Sequence, residues 1–143
     1  MKSKLINDGP QRSFAVVFDT GDEVTENLLA FAREQGLSAA EFTGLGAFSD
    51  AVVGYFDWQK KDYNRIRIEE QVEVLNLTGN IALADGKPKL HPHIVLGKAD
   101  GTAHGGHLLE GHVRPTLEVI VTESPVHLRR KSDPETGLAL IEL

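Results

Sequence analysis

Cysteine is absent from the 143-residue sequence, which excludes disulfide bonds and thiolate metal ligands and is typical of a protein in a reducing compartment. Apolar runs of about 18 residues are absent too, and the N-terminus lacks the long apolar segment of a secretory signal. We therefore expect a cytoplasmic protein that makes no contact with a membrane.

Basic residues are fewer than acidic ones, since 15 Lys and Arg against 21 Asp and Glu give a formal net charge of −6. This charge argues against broad DNA binding by the domain alone, because such binding depends on neutralising phosphates.

The length of the chain predicts one domain with its own hydrophobic core. Residues 1–12 are polar, and we expect them to be a flexible lead-in to a single domain over residues 13–143. One helix is predicted from about Glu23 to Gln35, where apolar residues recur at helical spacing, with Thr20 or Asp22 as its cap. The apolar stripe of this helix predicts that it packs on the core.

Strands are predicted wherever β-branched and aromatic residues are dense between turn signals. Outside the histidine-rich segment they cover residues 13–19, 37–46, 48–58, 65–77, 81–84, 116–122 and 138–141. Many strands and one main helix predict an α+β fold, in which a mostly antiparallel sheet carries the helix on one face. Such a sheet has long edges that need covering, and association with further copies of the chain would cover them.

Histidines are concentrated in one stretch, because five of the six lie between Leu90 and His112. Residues Leu90 to Lys98 are predicted to form a strand, and side chains two apart on a strand share a face. His91 and His93 therefore project together. After a turn, Thr102 to Val113 is expected to run back antiparallel.

The length of that turn decides which histidine joins the pair. A two-residue loop would place His107 opposite Ile94, on the wrong face. A three-residue loop, Ala99 to Gly101, puts a glycine where the turn needs a positive φ and places His93 opposite His107. Directly opposite Cβ atoms lie about 4.5–5.5 Å apart, so His91, His93 and His107 would form one triangle.

The remaining histidines have no assigned role in this prediction. His104 would face the other way, opposite Leu96, and neither His112 nor His127 has a predicted partner. A bulge at Gly105 and Gly106 would shift the register, so the triangle is a hypothesis.

Three neutral imidazoles that converge on one point can hold Zn²⁺ and leave a fourth position for water or substrate. Imidazole also suits iron, nickel and copper, so another divalent transition metal stays open. An anionic ligand is a further alternative for the same cluster. The plainest alternative is that His91, His93 and His107 are polar positions on a solvated hairpin.

Glu73 is the acidic residue that the sequence singles out. It lies in an apolar strand that we expect to be covered on both faces, where a carboxylate is costly unless it is paired or hydrogen-bonded. Glu73 is therefore a candidate partner for a metal-binding histidine or a candidate catalytic base. A structural hydrogen bond or ion pair is the alternative. The densest basic cluster, His127 to Lys131, is expected to be a solvated face.

The order of several short motifs resembles the PPC (plants and prokaryotes conserved) domain, also called the DUF296 family. The matching segments cover nearly the whole chain and are Thr20–Glu23, Gly44–Ala47, Glu73–Asn80, Leu90–His93, Gly105–Leu108 and Arg129–Asp133. The resemblance implies an α+β fold, assembly as a homotrimer, and metal binding through His91, His93 and His107. It also implies a bacterial or archaeal single-domain member. In plants the domain follows an AT-hook that reads the DNA minor groove, and this sequence has no Arg-Gly-Arg-Pro core.

Three functions remain open at this point. The first is a homotrimeric metal-binding regulatory or scaffold protein that contacts DNA. The second is a metal-dependent enzyme in which a metal-bound water is the nucleophile and Glu73 accepts a proton. The third is a protein that binds a small-molecule ligand without chemistry. A Ser-His-Asp arrangement or a phosphate-binding loop is not recognisable in the sequence.

Overall fold

A computed structural model describes residues 1–143, which form nine β-strands and one α-helix. In chain order the elements are β1 (Lys2–Asn7), β2 (Ser13–Asp19), α1 (Val24–Glu34), β3 (Ala39–Asp57), β4 (Asp62–Ile68), β5 (Val72–Ala84), β6 (Lys87–Gly97), β7 (Ala103–Glu123), β8 (Arg129–Ser132) and β9 (Ala139–Glu142). The mostly antiparallel sheet with one main helix, expected from the sequence, is confirmed. The 11-residue helix is the longest in the protein, and no helix is long and apolar enough to cross a bilayer.

All nine strands belong to one sheet, whose main path runs β1-β2-β7-β3-β5-β8-β9. Strand β4 pairs with β3, and β6 pairs with both β5 and β7. Only the short β5–β8 pairing is parallel. Because β3 also pairs with β5 and β7, the four strands β3, β5, β6 and β7 make a closed circuit of hydrogen bonds.

The helix closes the core from one side. Its buried residues, Val24, Leu28, Phe31 and Ala32, recur at the spacing that puts them on a single face. The ring of Phe31 meets the ring of Phe14 on β2 edge-on, with centroids 5.3 Å apart. Burial of this face is what holds α1 in place, since an 11-residue helix is marginal on its own.

The first residues do not form the flexible lead-in expected from their composition. Lys2–Asn7 is an edge strand whose partner is β2, with Lys2 opposite Val17 and Leu5 opposite Phe14. Every side chain in β1 is exposed, so the polar composition that suggested disorder is that of a solvated edge. The ordered domain therefore begins before residue 13.

Several predicted strand boundaries are wrong. The two strands predicted over residues 37–58 are one 19-residue strand, β3, which takes up its glycines in a bulge between Gly44 and Gly46. The strand predicted over residues 65–77 is instead interrupted between β4 and β5. The helix cap is also different, because Oε2 of Glu23 accepts a hydrogen bond from the backbone N–H of Glu26 at 2.7 Å.

Candidate metal centre

The β6–β7 hairpin has the three-residue loop that the sequence predicts. The N–H of Lys98 donates to the carbonyl of Thr102 at 2.9 Å, and the N–H of Gly101 donates to the carbonyl of Lys98 at 2.9 Å. Gly101 has φ +83°, the left-handed conformation that this turn needs. The resulting register places His93 directly opposite His107, which confirms that prediction.

The three predicted ligands converge. One potential ligand nitrogen from each of His91, His93 and His107 lies within 4.8 Å of the other two. The Nε2 atoms of His91 and His93 are 3.2 Å apart. Two nitrogens on a tetrahedral Zn²⁺ lie about 3.3 Å apart, given Zn–N bonds of about 2.0–2.1 Å. The donor set and the spacing of this pair therefore fit Zn²⁺, and a nitrogen of His107 lies within 4.8 Å of both.

Close backbone packing brings the two histidines of β6 into this position. His91 lies opposite Asn80 of β5 and His93 lies opposite Thr78. Between them, a Cβ at Gly79 would come within 2.4 Å of the Phe42 ring and 2.5 Å of the carbonyl oxygen of His91. Gly79 is thus needed for β6 to approach β5. Strand β5 runs through Gly79, in the gap between the strands predicted over residues 65–77 and 81–84.

Tyr63 on β4 is a neighbour of the site that the sequence analysis missed. Its ring stacks on the ring of His107, with centroids 4.6 Å apart and planes 28° apart. The Tyr63 hydroxyl lies 3.4 Å from Nδ1 of His107. Contact at Nδ1 leaves Nε2 for a metal, which is the usual way in which an outer partner orients a ligating histidine. No periodicity in the sequence could have linked β4 to the hairpin, since β3 lies between them.

The electrostatic environment of the cluster favours neutral imidazoles. The pKa of His107 is lowered to about 4, mainly by burial and further by the nearby charges of His91, His93 and Lys89. The pKa of His91 is also lowered, first by burial and then by the charges of His93 and Arg130. Both rings are therefore deprotonated at neutral pH, which is the form that binds a metal.

Glu73 is not part of this site. It is exposed on β5, opposite Ala47 on one side and Gly97 on the other. Thr78 is the residue of β5 that lies opposite His93. Glu73 precedes Thr78 by five residues, which is about 16 Å along the strand. The prediction of burial was wrong because Leu75, two residues on, is an apolar side chain that is 52% exposed. Within one chain, Glu73 is therefore too far away to contact these histidines.

The other three histidines lie apart from the cluster. His104 is exposed and opposite Leu96, as the register predicts. Nδ1 of His112 is 2.7 Å from Oδ1 of Asp50, and Nδ1 of His127 is in contact with the hydroxyl of Ser38.

The fold and the site together define a class of protein: small antiparallel β-domains that carry three histidines on one hairpin. More specifically, the chain belongs to the Plants and Prokaryotes Conserved (PCC) domain family, the PPC family named above, whose sequence model matches residues 6–125. The family resemblance drawn from the sequence is confirmed.

Solved structures with the same fold come from archaea and bacteria. A PPC protein from Pyrococcus horikoshii is 33% identical, with a TM-score of 0.87 and coverage of 92% of each chain. A metal-containing protein from Archaeoglobus fulgidus is 34% identical, with a TM-score of 0.84 and coverage of 99% of this chain and 97% of that one. A "putative DNA binding protein" from Bacteroides thetaiotaomicron is 28% identical, with a TM-score of 0.88 and coverage of 98% and 96%.

A longer curated protein also contains a similar segment. The chain is 31% identical over 132 residues to bifunctional protein GlmU of Synechococcus sp. (strain JA-3-3Ab). The match covers 90% of this chain but 20% of that protein. The chain thus spans about a fifth of the length of the curated relative that it matches.

Proposed function

We propose that the protein binds one divalent transition metal ion, Zn²⁺ in the first instance, through His91, His93 and His107. The observation that carries the proposal is the convergence of three ligand nitrogens within 4.8 Å. The lowered pKa values of His91 and His107 support it, because they keep two of the rings in the ligating form. The metal-containing relative from Archaeoglobus fulgidus supports it as well.

Three protein ligands leave one coordination position for another molecule. When bound there, Zn²⁺ supplies a Lewis-acid centre that attracts an anion or a polarisable oxygen. Of the two functions that use this position, ligand binding is favoured over catalysis. The catalytic alternative relied on Glu73 as the proton acceptor, and Glu73 lies outside the site.

Metal content tests the proposal directly. Elemental analysis by mass spectrometry is made on untagged protein from the size-exclusion peak, before and after incubation with Zn²⁺ and gel filtration. We expect about one metal per chain, lost in His91→Ala and in His107→Ala. His104→Ala is the matched control, since it removes an exposed histidine from the same hairpin. Equal metal content in all four proteins would refute the site.

We further propose that the protein assembles with copies of itself, as the homotrimer that the family resemblance implies. Support comes from one outward sheet face that carries exposed apolar residues on five strands: Val17, Leu45, Leu75, Val95 and Ile120. Such a face is unusual on a monomer. Sedimentation equilibrium should give three times the chain mass, reduced by Leu45→Asp. Val126→Asp, at an equally exposed position, is the control and should leave the mass unchanged.

DNA binding is a second candidate function, favoured by the description of the Bacteroides relative. The basic cluster offers a limited surface for it. Arg129 is exposed and unpaired, Arg130 is partly buried, and Lys131 pairs with Glu142. Fluorescence anisotropy with a labelled duplex at about 150 mM salt is the test, with Arg129→Ala as the variant. Binding that weakens in Arg129→Ala would support this function, and absence of binding would remove it.

A further inference from the structure

A small pocket adjoins the histidine cluster and shares two of its residues. Its volume is about 130 Å³, and its walls include His91, His107 and Tyr63 together with two cationic side chains, Lys89 and Arg130. Any ion held by the histidines would therefore lie at the edge of this pocket. The pocket therefore offers space beside the cluster for a further molecule.

The charge of the pocket is positive, although the chain as a whole carries a net charge of −6. No Asp or Glu is among the residues that line it, and neither Lys89 nor Arg130 makes an ion pair. A bound divalent cation would add to this charge. In a partly desolvated site these charges act at close range and attract an anion strongly.

The guanidinium of Arg130 has a hydrogen-bond donor without a partner. One terminal nitrogen donates to the carbonyl of Ala139 at 3.0 Å, and the other donates to the side-chain oxygen of Asn80. The Nε–H is buried and has no hydrogen-bond partner. A buried, unpaired donor on a charged group is costly and calls for an explanation. Asn80 and Ala139 fix the guanidinium beside His91, which lies opposite Asn80 on the next strand.

The remaining walls set the size and character of the occupant. Leu90, Leu138 and Leu140 give the pocket an apolar side. Its volume equals the liquid volume of about four water molecules, which suits a molecule of about four to seven non-hydrogen atoms. A planar guanidinium matches a carboxylate through two parallel hydrogen bonds. An organic acid with a short apolar chain satisfies all three features.

We propose that this pocket binds a small organic carboxylate, held by Arg130 and Lys89 and attracted by the metal on the histidines. The proposal rests on the metal site proposed above. Arg130 meets the carboxylate, the leucines take up the short chain, and the ion at the histidines supplies additional positive charge.

The test is isothermal titration calorimetry, in which butyrate is titrated into the zinc-loaded protein. The zinc content of the same sample is measured. We expect a Kd on the order of 1 mM, typical of a ligand this small. Butyrate should bind about tenfold tighter than acetate, because two further methylenes are buried. Metal-free protein should bind butyrate at least about tenfold more weakly.

Two variants and one control assign the binding to the pocket. Arg130→Met should weaken butyrate binding at least about tenfold while zinc content is kept, and Arg130→Lys should restore part of it. Lys89→Met is the second variant, since Lys89 is exposed and its loss does not threaten the fold. Arg129→Met is the matched control, because it removes an exposed cation from the neighbouring position on β8.

The possible failures are distinct. Protein that takes up no zinc refutes the metal site. Protein with one zinc per chain that binds no butyrate up to about 20 mM refutes the pocket alone. Inorganic phosphate that binds as tightly as butyrate would overturn the assignment to an organic carboxylate. Butyrate affinity unchanged in both Arg130→Met and Lys89→Met would overturn the proposed site.

Discussion

His107 and His112 lie five residues apart on the same strand, yet their surroundings have opposite charge. Around His107, burial and the charges of His91, His93 and Lys89 lower the pKa to about 4. Around His112, the hydrogen bond to Asp50 raises the pKa, and the charges of Glu23 and Glu110 act in the same direction despite partial burial. The surroundings of His107 favour the neutral ring that a metal can bind, whereas those of His112 favour the protonated ring beside a carboxylate.

This contrast shows that residue type alone does not identify a metal ligand. Both histidines lie on β7 and both pair with β3, His107 with Gly54 and His112 with Asp50. What separates them is the neighbouring strand. At His107 that strand is β6 with two further histidines, whereas at His112 a carboxylate lies within hydrogen-bond distance.

The largest expected difference between the two is in metal affinity. His107→Ala removes one of three ligands and should weaken zinc binding by more than about 100-fold. Mutation of a residue that only orients a ligand already lowers metal affinity by about 10–100-fold. His112→Ala should leave the affinity unchanged. Competition with a chromophoric zinc chelator measures both. Equal losses in the two variants would mean that the loss comes from the fold and not from the ligand set.

The two rings should also titrate in opposite directions in metal-free protein. By NMR we expect His107 to titrate near pH 4 and His112 above its ordinary value near 6.5. Since the folded pKa of His107 is depressed, the unfolded chain binds its proton first, and stability is lost as pH falls from about 6.5 towards 4. The raised pKa of His112 contributes stability below about pH 6.5, and this is lost as pH rises through the folded pKa.

Denaturant unfolding across that pH range separates these contributions. His107→Gln should flatten the loss of stability on the acid side, whereas His112→Gln should remove the gain that accompanies protonation. Matching pH profiles for the two variants would contradict the opposite environments described above.

A smaller effect is expected from Tyr63→Phe, which removes the hydroxyl 3.4 Å from Nδ1 of His107 but keeps the stacked ring. Zinc affinity should fall by up to about tenfold, since the hydroxyl orients the imidazole without touching the metal. Tyr55→Phe is the control, because Tyr55 is exposed on the adjacent strand. An unchanged affinity in Tyr63→Phe would reduce the role of Tyr63 to packing.

The smallest effect on stability and zinc affinity is expected at Asp50, the partner of His112. Asp50→Asn removes the carboxylate partner of His112, whose side chain is 43% exposed. Such pairs contribute about 0.5 kcal/mol to the free energy of unfolding. The pKa of His112 should fall back towards its ordinary value, as measured by NMR, and zinc affinity should not change. A change in zinc affinity would connect two regions that the fold keeps separate.

The sequence was sufficient where local rules decide the structure. The hairpin loop at Ala99–Gly101 sets the register through turn geometry alone, and from it the triangle of His91, His93 and His107 follows. These residues lie close together in the chain, so a prediction needs only strand periodicity and one loop length.

The sequence was insufficient where distant strands decide the structure. Arg130 and Tyr63 reach the histidines from β8 and β4, through pairings with β5 and β3 that no local pattern specifies. Glu73 was misplaced because an exposed leucine beside it imitated a buried strand. Residues 1–12 were misjudged because the exposed strand β1 has the composition of a loop.

The three-residue loop has a consequence for how the gene can change. On a strand, a shift of one residue turns every side chain to the opposite face. Deleting or inserting a single codon within Ala99–Gly101 would therefore carry His107 away from His93, although all three histidines would still be encoded. Substitutions in this loop are tolerable as long as a residue like Gly101 keeps the positive φ. Selection on the metal site should thus act on the length of the loop more strongly than on its composition.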